Sequence, residues 1–237
     1  MTQRINMWSS PRNLSTALMY SWRQRVDTTV VDEPLYAYYL QSTGRLHPVS
    51  EEVIASQDTD GEAVVSDVLM ADYTTPVVFF KQMAKHLLTL DRSFLAAGSN
   101  ILLTREPTEM LSSLQVQLPD VTIADTGFTE LLSILEGLVA AGNAPTVIDS
   151  TTLLQDPRRV LATLCERVGL NFDEAMLTWP AGPKPEDGVW APHWYDRVWQ
   201  SSGWEPFVAK EVELNRAAKA VLPEAQSAYD RLAEFAI

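Results

Sequence analysis

Five short apolar segments, separated by longer amphipathic ones, constrain the fold of this 237-residue chain more than any other feature. They span residues 5–8, 29–31, 77–80, 101–104 and 146–148, and each is rich in Val, Ile or Phe. Alternation of such strands with helix-length segments is typical of parallel sheets, because parallel neighbours need a crossover connection. We therefore predict an α/β fold of three layers, in which a central, mainly five-stranded parallel sheet is flanked by helices.

The remaining segments predict helices and one unusual loop. Helices are expected over 14–24, 62–71, 82–88, 108–117, 129–141 and 157–168. Residues 178–206, here called the Trp-rich segment, hold five of the 14 prolines and five of the seven tryptophans. Such a stretch predicts an ordered lid, because a flexible linker would not carry so many large aromatic side chains.

No feature of the sequence marks a second domain, so we expect a single domain over 1–237. Its C-terminal helices should lie within 207–237. The run from Lys210 to Phe235 is rich in Ala, Glu and Lys, and it predicts two helices broken at Pro223.

Composition excludes several classes of function. The chain has 18 Lys and Arg against 31 Asp and Glu, a net charge of −13, which disfavours nucleic-acid binding and docking on anionic membranes. One cysteine, Cys165, and three scattered histidines give no metal-ligand spacing, so no metal site is expected. Without a signal peptide or a run of 18 apolar residues, we expect a cytoplasmic protein with no stable membrane insertion. A homodimer is compatible with the sequence.

A polar turn connects the first predicted strand to the first helix. Helix-start N–H groups, the hydroxyls of Ser15 and Thr16 and the guanidinium of Arg12 can converge there on one anion. The turn contains no glycine and no Walker pattern, so Asn13 is expected to supply the left-handed backbone conformation. The alternative is that Ser15 merely caps the helix. The predicted cradle comprises Ser10, Pro11, Arg12, Asn13, Leu14, Ser15 and Thr16.

A second motif follows the fourth predicted strand. Arg105 is followed by x-Pro and, eight positions after the arginine, by Ser113. Arg105 leaves the strand end, and Ser113 lies two turns into the next helix, so the two can hold one phosphate. The alternative is a surface ion pair between Arg105 and Glu109.

Together, Ser-x-Pro-Arg-Asn-x-Ser-Thr and the Arg105 motif resemble the 5′-phosphosulfate and 3′-phosphate motifs of sulfotransferases that use 3′-phosphoadenosine 5′-phosphosulfate (PAPS). The familiar form of the first motif is Pro-Lys-Ser-Gly-Thr-Thr. The resemblance extends to the last predicted strand and to the Asp156-Pro157 helix start. It implies a P-loop-like fold, PAPS as donor, 3′-phosphoadenosine 5′-phosphate (PAP) as product and no metal. It further implies transfer to a hydroxyl or amine of a small-molecule, sugar or lipid acceptor.

Sulfuryl transfer needs cations for the leaving phosphate and a base for the acceptor proton. Arg12 takes the place of the usual lysine, and Lys81 at the end of the third strand matches a family lysine. Glu33, after the second strand, is the leading candidate for the base, and His86 is its rival. The alternative for Asp32-Glu33 is a helix cap before Pro34.

Three further expectations complete the prediction. Lys184 in the Trp-rich segment is assigned to a cofactor-closing loop, as the resemblance implies. The net charge favours an uncharged acceptor, and Trp190, Trp194 and Tyr195 suggest an aromatic pocket wall for it. The alternative is that these three residues only pack the loop against the protein. Two rival functions remain. A nucleotide-dependent phosphotransferase would need an acid that holds magnesium and a Walker-like lysine, for which Asp149 with Arg12 is a poor substitute, and the second rival is a non-catalytic nucleotide-binding module.

Overall fold

A computed structural model describes residues 2–209 and 211–237 of the chain. Its centre is a five-stranded sheet in which every pair of neighbouring strands is parallel, in the order β2-β3-β1-β4-β5. The strands are β1 (Gln3–Ser9), β2 (Thr28–Asp32), β3 (Val77–Met83), β4 (Ser99–Thr104) and β5 (Thr146–Asp149). All five predicted strands and the three-layer α/β architecture are confirmed.

Helices of very different length connect these strands. The long ones are α1 (Ser15–Arg23), α2 (Tyr36–Thr43), α5 (Pro107–Leu114), α7 (Phe128–Ala140), α9 (Pro157–Arg167) and α12 (Arg216–Ala233). The short ones are α3 (Ser50–Ser56), α4 (Gly61–Val64), α6 (Ile123–Thr126), α8 (Ser150–Gln155), α10 (Ala191–Trp194) and α11 (Asp196–Gln200). In the part of the chain described here, no helix has both the length and the apolar character that crossing a bilayer requires.

Two hydrophobic cores lie on opposite faces of the sheet. Ile5 and Met7 of β1 pack on one face with the apolar sides of α1 and α9. Trp8 packs on the other face with α5, α7 and α12. Because successive strand residues point to opposite faces, a strand covered on both sides must be a continuous apolar run. This requirement explains why the strands were recognisable in the sequence.

Two predicted helices differ from the observed structure. The helix expected over 82–88 is wrong, because β3 continues through Gln82 and Met83, which pair with Trp8 and Ser9 of β1. Only a 3₁₀ turn, Ala84–Leu87, follows. The helix expected over 62–71 is observed in two parts, because α4 is followed directly by a π-helical turn, Val65–Leu69.

The predicted break at Pro223 is also wrong, because α12 continues through this proline. A proline removes one helical hydrogen bond, but α12 buries Ala218, Ala225, Ala228 and Leu232 against the sheet and its helices. Packing of this face outweighs the lost bond. Lys210, where the predicted C-terminal run began, lies outside the described residues.

The Trp-rich segment is ordered and packed. It contains α10 and α11, and Thr178 pairs with Gly203 across its base. Asp187 accepts hydrogen bonds from the Tyr20 hydroxyl of α1 at 2.7 Å and from the Trp199 indole at 2.9 Å. These contacts hold one part of the segment against α1.

Packing of α12 against the rest of the chain can be tested by truncating a large, fully buried side chain of this helix. Leu232 is fully buried, so Leu232→Ala should lower the free energy of unfolding by about 2–4 kcal/mol. Urea denaturation measures this change. Lys219→Ala, at an exposed position of the same helix, is the control and should change the stability by less than about 0.5 kcal/mol. Equal effects of the two substitutions would contradict the observed packing.

Candidate active site

A cavity of about 240 Å³ opens at the edge of the sheet where the parallel strands end. β3 and β4 lie on opposite sides of β1, so the connection between them crosses from one half of the sheet to the other. Ligands of open α/β sheets bind at the strand ends where the strand order reverses in this way. Residues from four strand ends and from the Trp-rich segment line the cavity together. The lining includes Arg12, Ser15, Thr16, Glu33, Tyr36, His47, Lys81, Lys85, His86, Arg105, Ser113, Trp190, Trp194, Tyr195 and Arg197.

The turn after β1 forms a cradle, but two residues other than Asn13 have the left-handed backbone conformation. Arg12 and Leu14 have φ values of 62° and 68°, whereas Asn13 is not in this region. The prediction for Asn13 is therefore wrong. Its side chain instead donates a hydrogen bond to the Leu103 carbonyl at 3.1 Å. When Pro11 to Thr16 are aligned with Pro-Lys-Ser-Gly-Thr-Thr, Leu14 stands at the glycine position. The left-handed backbone conformation costs a residue that has a side chain about 1–2 kcal/mol.

The first turn of α1 presents unpaired N–H groups to the cavity. Leu14 is the N-cap residue, and among the described residues no side chain caps this helix. The alternative in which Ser15 caps α1 is not observed. Pro11 to Thr16 line the cavity, while Ser10 is buried outside its lining. A helix start with free N–H groups and a positive dipole is suited to an anion.

The two predicted motifs meet at one end of the cavity. The Arg12 Nε donates to the Ser113 hydroxyl at 2.9 Å, and Arg105 Nη1 donates to the Arg12 carbonyl at 2.9 Å. Arg105 also pairs with Glu109 at 3.0 Å, so the alternative ion pair is present as well. Burial, together with the charges of Arg105 and Arg197, lowers the pKa of Arg12. Crowded guanidinium groups of this kind favour an anion between them.

Lys81 occupies the centre of a buried cluster. Its ammonium donates to Asp32 Oδ1 at 2.8 Å, to the Tyr195 hydroxyl at 2.7 Å and to Glu33 Oε1. The Tyr195 hydroxyl donates in turn to Asp32 Oδ2 at 2.7 Å and accepts from the Trp190 indole. Burial lowers the pKa of Lys81, but the two carboxylates outweigh it and the net shift is upward. The alternative in which Asp32 caps α2 is not observed, since α2 has Leu35 as its N-cap.

Glu33 is buried and its backbone is strained, with φ at 42°. Three hydrogen bonds hold this conformation. The Glu33 N–H donates to the Lys81 carbonyl, and the Glu33 carbonyl accepts from the Tyr36 N–H and from Gln57 Nε2. Burial raises the pKa of Glu33 more than the nearby Lys81 charge lowers it. Strain maintained in this way is typical of functional positions.

His86 is 1% exposed and is stacked between Tyr36 and Tyr39, at centroid distances of 4.8 Å and 4.7 Å. Its Nδ1 is 3.9 Å from Glu33 Oε2, and has no hydrogen-bond partner within the described ranges. Burial lowers the pKa of His86 well below its ordinary value, so the imidazole is neutral.

Two residues named in the sequence analysis lie elsewhere. Lys184 is not among the lining residues; its ammonium is 4.8 Å from the Tyr20 ring and donates to the Gly182 carbonyl. Asp149 caps α8 and accepts from the Tyr229 hydroxyl. Among residues 2–209 and 211–237, no three His, Cys, Asp or Glu side chains are grouped as metal ligands.

Sequence reasoning missed Lys85, Gln57 and Arg197. Lys85 was hidden in the wrongly predicted helix over 82–88, although it stands next to His86. Arg197 is a basic residue of the Trp-rich segment that lines the cavity near Arg12, and its charge could have drawn attention to it. Gln57 carried no local signal, because it contacts Glu33 from a separate connection 24 residues away.

Comparison with known proteins identifies the family through one match and finds relatives with a different name. Residues 3–231 match the family described as sulfotransferase domain. Two curated Arabidopsis thaliana proteins, branched-chain-amino-acid aminotransferase-like proteins 1 and 2, are 42% and 40% identical to the chain over 201 residues. The matched part is 84% of this chain and 36% of each relative, so the chain spans about a third of their length.

Solved structures share the fold. The sulfotransferase domain of the Synechococcus PCC 7002 olefin synthase aligns with a TM-score of 0.55 and 17% identity over 94% of each chain. A sulfotransferase from Alicyclobacillus acidocaldarius aligns with a TM-score of 0.55 and 10% identity, over 100% of this chain and 98% of that one.

The contacts of the Tyr195 hydroxyl predict how the Trp-rich segment is held to the sheet. Tyr195→Phe removes its hydrogen bonds to Asp32 and Lys81, each of which involves a charged group. Backbone amides of residues 188–199 should then exchange with deuterium at least tenfold faster, as measured by mass spectrometry. Tyr229→Phe, outside the cavity, is the control and should leave these amides unchanged. Unaltered exchange in Tyr195→Phe would contradict the anchoring role.

Proposed function

This chain belongs to the sulfotransferase domain family, and from that premise we propose that it transfers a sulfuryl group from PAPS to a hydroxyl or amine of a small acceptor. The observation that carries the proposal is the presence, in one cavity, of an anion cradle and the buried carboxylate of Glu33, one oxygen of which accepts no hydrogen bond from the residues that the structure describes. Lys81 lies between the cradle and Glu33, because β3 is the strand between β1, which leads to the cradle, and β2, which leads to Glu33.

The cradle fits the two charged ends of the donor. The first turn of α1 and Arg12 are suited to the phosphosulfate, because they present N–H donors and a positive charge. Arg105 and Ser113 are suited to the 3′-phosphate, since both line the cavity beside Arg12. When bound, PAPS supplies an activated sulfuryl group with a phosphate as its leaving group.

The proposed transfer balances as a single displacement. An acceptor oxygen forms a bond to sulfur while the bond between sulfur and the bridging phosphate oxygen breaks. The acceptor proton goes to Glu33, and the products are a sulfate ester and PAP. Arg12 and Lys81 provide positive charge near the transferred and leaving oxygens, where negative charge develops.

Glu33 is better placed than its rival to act as the base. Glu33 Oε1 is bound by Lys81, whereas no hydrogen bond to Oε2 is found among the described residues. This oxygen can take a proton from an acceptor in the cavity. The raised pKa of Glu33 makes it a stronger base than an exposed glutamate. The lowered pKa of His86 makes that imidazole a weaker one.

The curated relatives carry names that describe them as aminotransferase-like. We do not propose that activity for this chain, because its matched region is about a third of each relative and the sulfotransferase domain family accounts for residues 3–231.

Donor recognition can be tested by calorimetry with PAP, adenosine 5′-phosphate and ATP. PAP should bind most tightly, and Arg105→Ala should weaken PAP binding at least tenfold, because a charge-assisted bond to the 3′-phosphate is lost. Arg158→Ala, which removes an exposed arginine paired with Glu174, is the control. A preference for ATP would favour the phosphotransferase, and PAP binding without turnover of any acceptor would favour the non-catalytic module.

The base can be tested with Glu33→Gln, which keeps the shape of the side chain and removes its basicity. PAP affinity should be unchanged, and the rate of PAP formation from PAPS and acceptor should fall about 100-fold or more. In the wild type the rate should rise with pH as Glu33 loses its proton, above the ordinary glutamate pKa of about 4.5. This rising limb should be absent from the variant. Glu52→Gln, exposed on α3, is the control, and an unchanged rate in Glu33→Gln would exclude this assignment.

A further inference from the structure

Lys85 is a second lysine of the cavity lining, and the proposed transfer does not use it. The residue is 6% exposed and lines the cavity wall after β3. Its ammonium lies 5.1 Å from the centre of the Tyr39 ring. Over the described ranges it has neither a hydrogen-bond acceptor nor a carboxylate within 4.0 Å. A buried ammonium is costly unless something pairs with it.

The carboxylates around Lys85 are mostly engaged elsewhere. Glu33 binds Lys81 through Oε1, and Asp125 binds Arg45 at 2.8 Å as well as the Thr122 backbone and hydroxyl. Glu130 has an unpaired Oε2, but this oxygen is not within ion-pair distance of Lys85. Burial accordingly lowers the pKa of Lys85 to about 8, although these three carboxylates act in the opposite direction.

Two imidazoles beside Lys85 have unpaired nitrogen atoms. The Tyr36 hydroxyl is 2.7 Å from His47 Nδ1, and burial keeps this phenol protonated by raising its pKa. When the phenol donates, the proton of the neutral His47 ring is on Nε2, which is buried without a partner in the described structure. His86 Nδ1 is likewise unpaired, and a bound anion would select the tautomer that has its proton there. Both rings line the cavity.

This group is separate from the donor end. Arg12 contacts Ser113, the Arg105 side chain and the Trp194 carbonyl. Lys85 instead follows β3, and its ammonium lies against the Tyr39 ring, on which His86 is stacked. Arg12 and Lys85 therefore belong to different parts of the cavity lining. If the donor phosphates bind beside Arg12, the part of the lining that contains Lys85 remains for the acceptor.

We propose that Lys85, with His86 Nδ1 and His47 Nε2, binds a carboxylate of the acceptor, so that the substrate is a small hydroxy or amino acid. The inference rests on the proposed sulfuryl transfer. One ammonium and two neutral imidazoles together carry one positive charge, which balances the single negative charge of a carboxylate. A phosphate would carry nearly two negative charges. The carboxylate would bind at the Lys85 end, which places the acceptor hydroxyl toward Glu33.

The test uses calorimetry on the PAP-saturated protein with lactate, 3-hydroxybutyrate and 2-hydroxy-3-methylbutyrate, each paired with its methyl ester. Esters keep the hydroxyl and lose the charge. At pH 7 at least one acid should bind tenfold or more tightly than its ester. Lys85→Met should abolish that preference while leaving the PAP affinity unchanged. Lys184→Met, which removes a lysine outside the cavity, should retain it.

A second measurement separates ligand binding from a structural role. Lys85→Met should be at least as stable to urea as the wild type, because an unpaired buried charge is removed. The affinity for the acids should also fall as the pH rises through about 8, where Lys85 loses its charge, while the affinity for the esters stays constant.

The outcomes distinguish the two proposals. If the acids and esters bind alike, or if no acid shows binding that depends on Lys85, the carboxylate site is excluded. If Lys85→Met slows sulfuryl transfer to acids and esters equally, Lys85 acts on the sulfuryl group and the site is again excluded. If PAP does not bind, the proposed function fails, and the same titrations without PAP decide the carboxylate site by itself.

Discussion

A single buried ammonium connects the parts of this molecule that define its cavity. Lys81 is fully buried on β3, where only neighbouring carboxylates can compensate for its charge. Asp32 and Glu33 at the end of β2 provide that compensation, and Tyr195 extends the network to the Trp-rich segment. One charge thereby fixes the relative positions of two strand ends and of the segment that covers them. The strained backbone of Glu33 can be maintained because this network and Gln57 hold both its side chain and its carbonyl.

Much of the fold and part of the site followed from the sequence. The strands were predictable because burial on both faces requires continuous apolar runs, and the family inferred from the Arg12 and Arg105 motifs is confirmed. Side chains that follow parallel strands share one edge, so Glu33 and Lys81 could be placed together before any coordinates were known. The roles assigned to these residues stay predictions. Local propensity was misleading where tertiary contacts decide: β3 extends through Met83 because β1 pairs with it, and α12 continues through Pro223 because its apolar face is buried.

The net charge of −13 and the charges that line the cavity are of opposite sign, so the two have to be considered separately. Net charge describes the field far from the surface, whereas a cavity is governed by the few charges that line it. Here these include Arg12, Arg105, Arg197 and Lys85, drawn from four separate parts of the chain. An acidic protein can thus enclose a cationic cavity. Its acidic exterior would slow the approach of anionic ligands, and this effect would decrease as ionic strength rises.

Contacts of the Trp-rich segment include those to α1 through Asp187, to the sheet edge through Tyr195 and to the turn after β1 through the Trp194 carbonyl, which accepts from Arg12. These attachments are made by residues of the chain itself, so the wall of the cavity is in place before a ligand arrives. The conformational entropy of this segment is therefore lost during folding and not during binding. As a result, more of the favourable free energy of the ligand's contacts contributes to its affinity. The same arrangement affects exit: a bound ligand leaves through the opening of the cavity, and breaking any of these attachments would widen that opening.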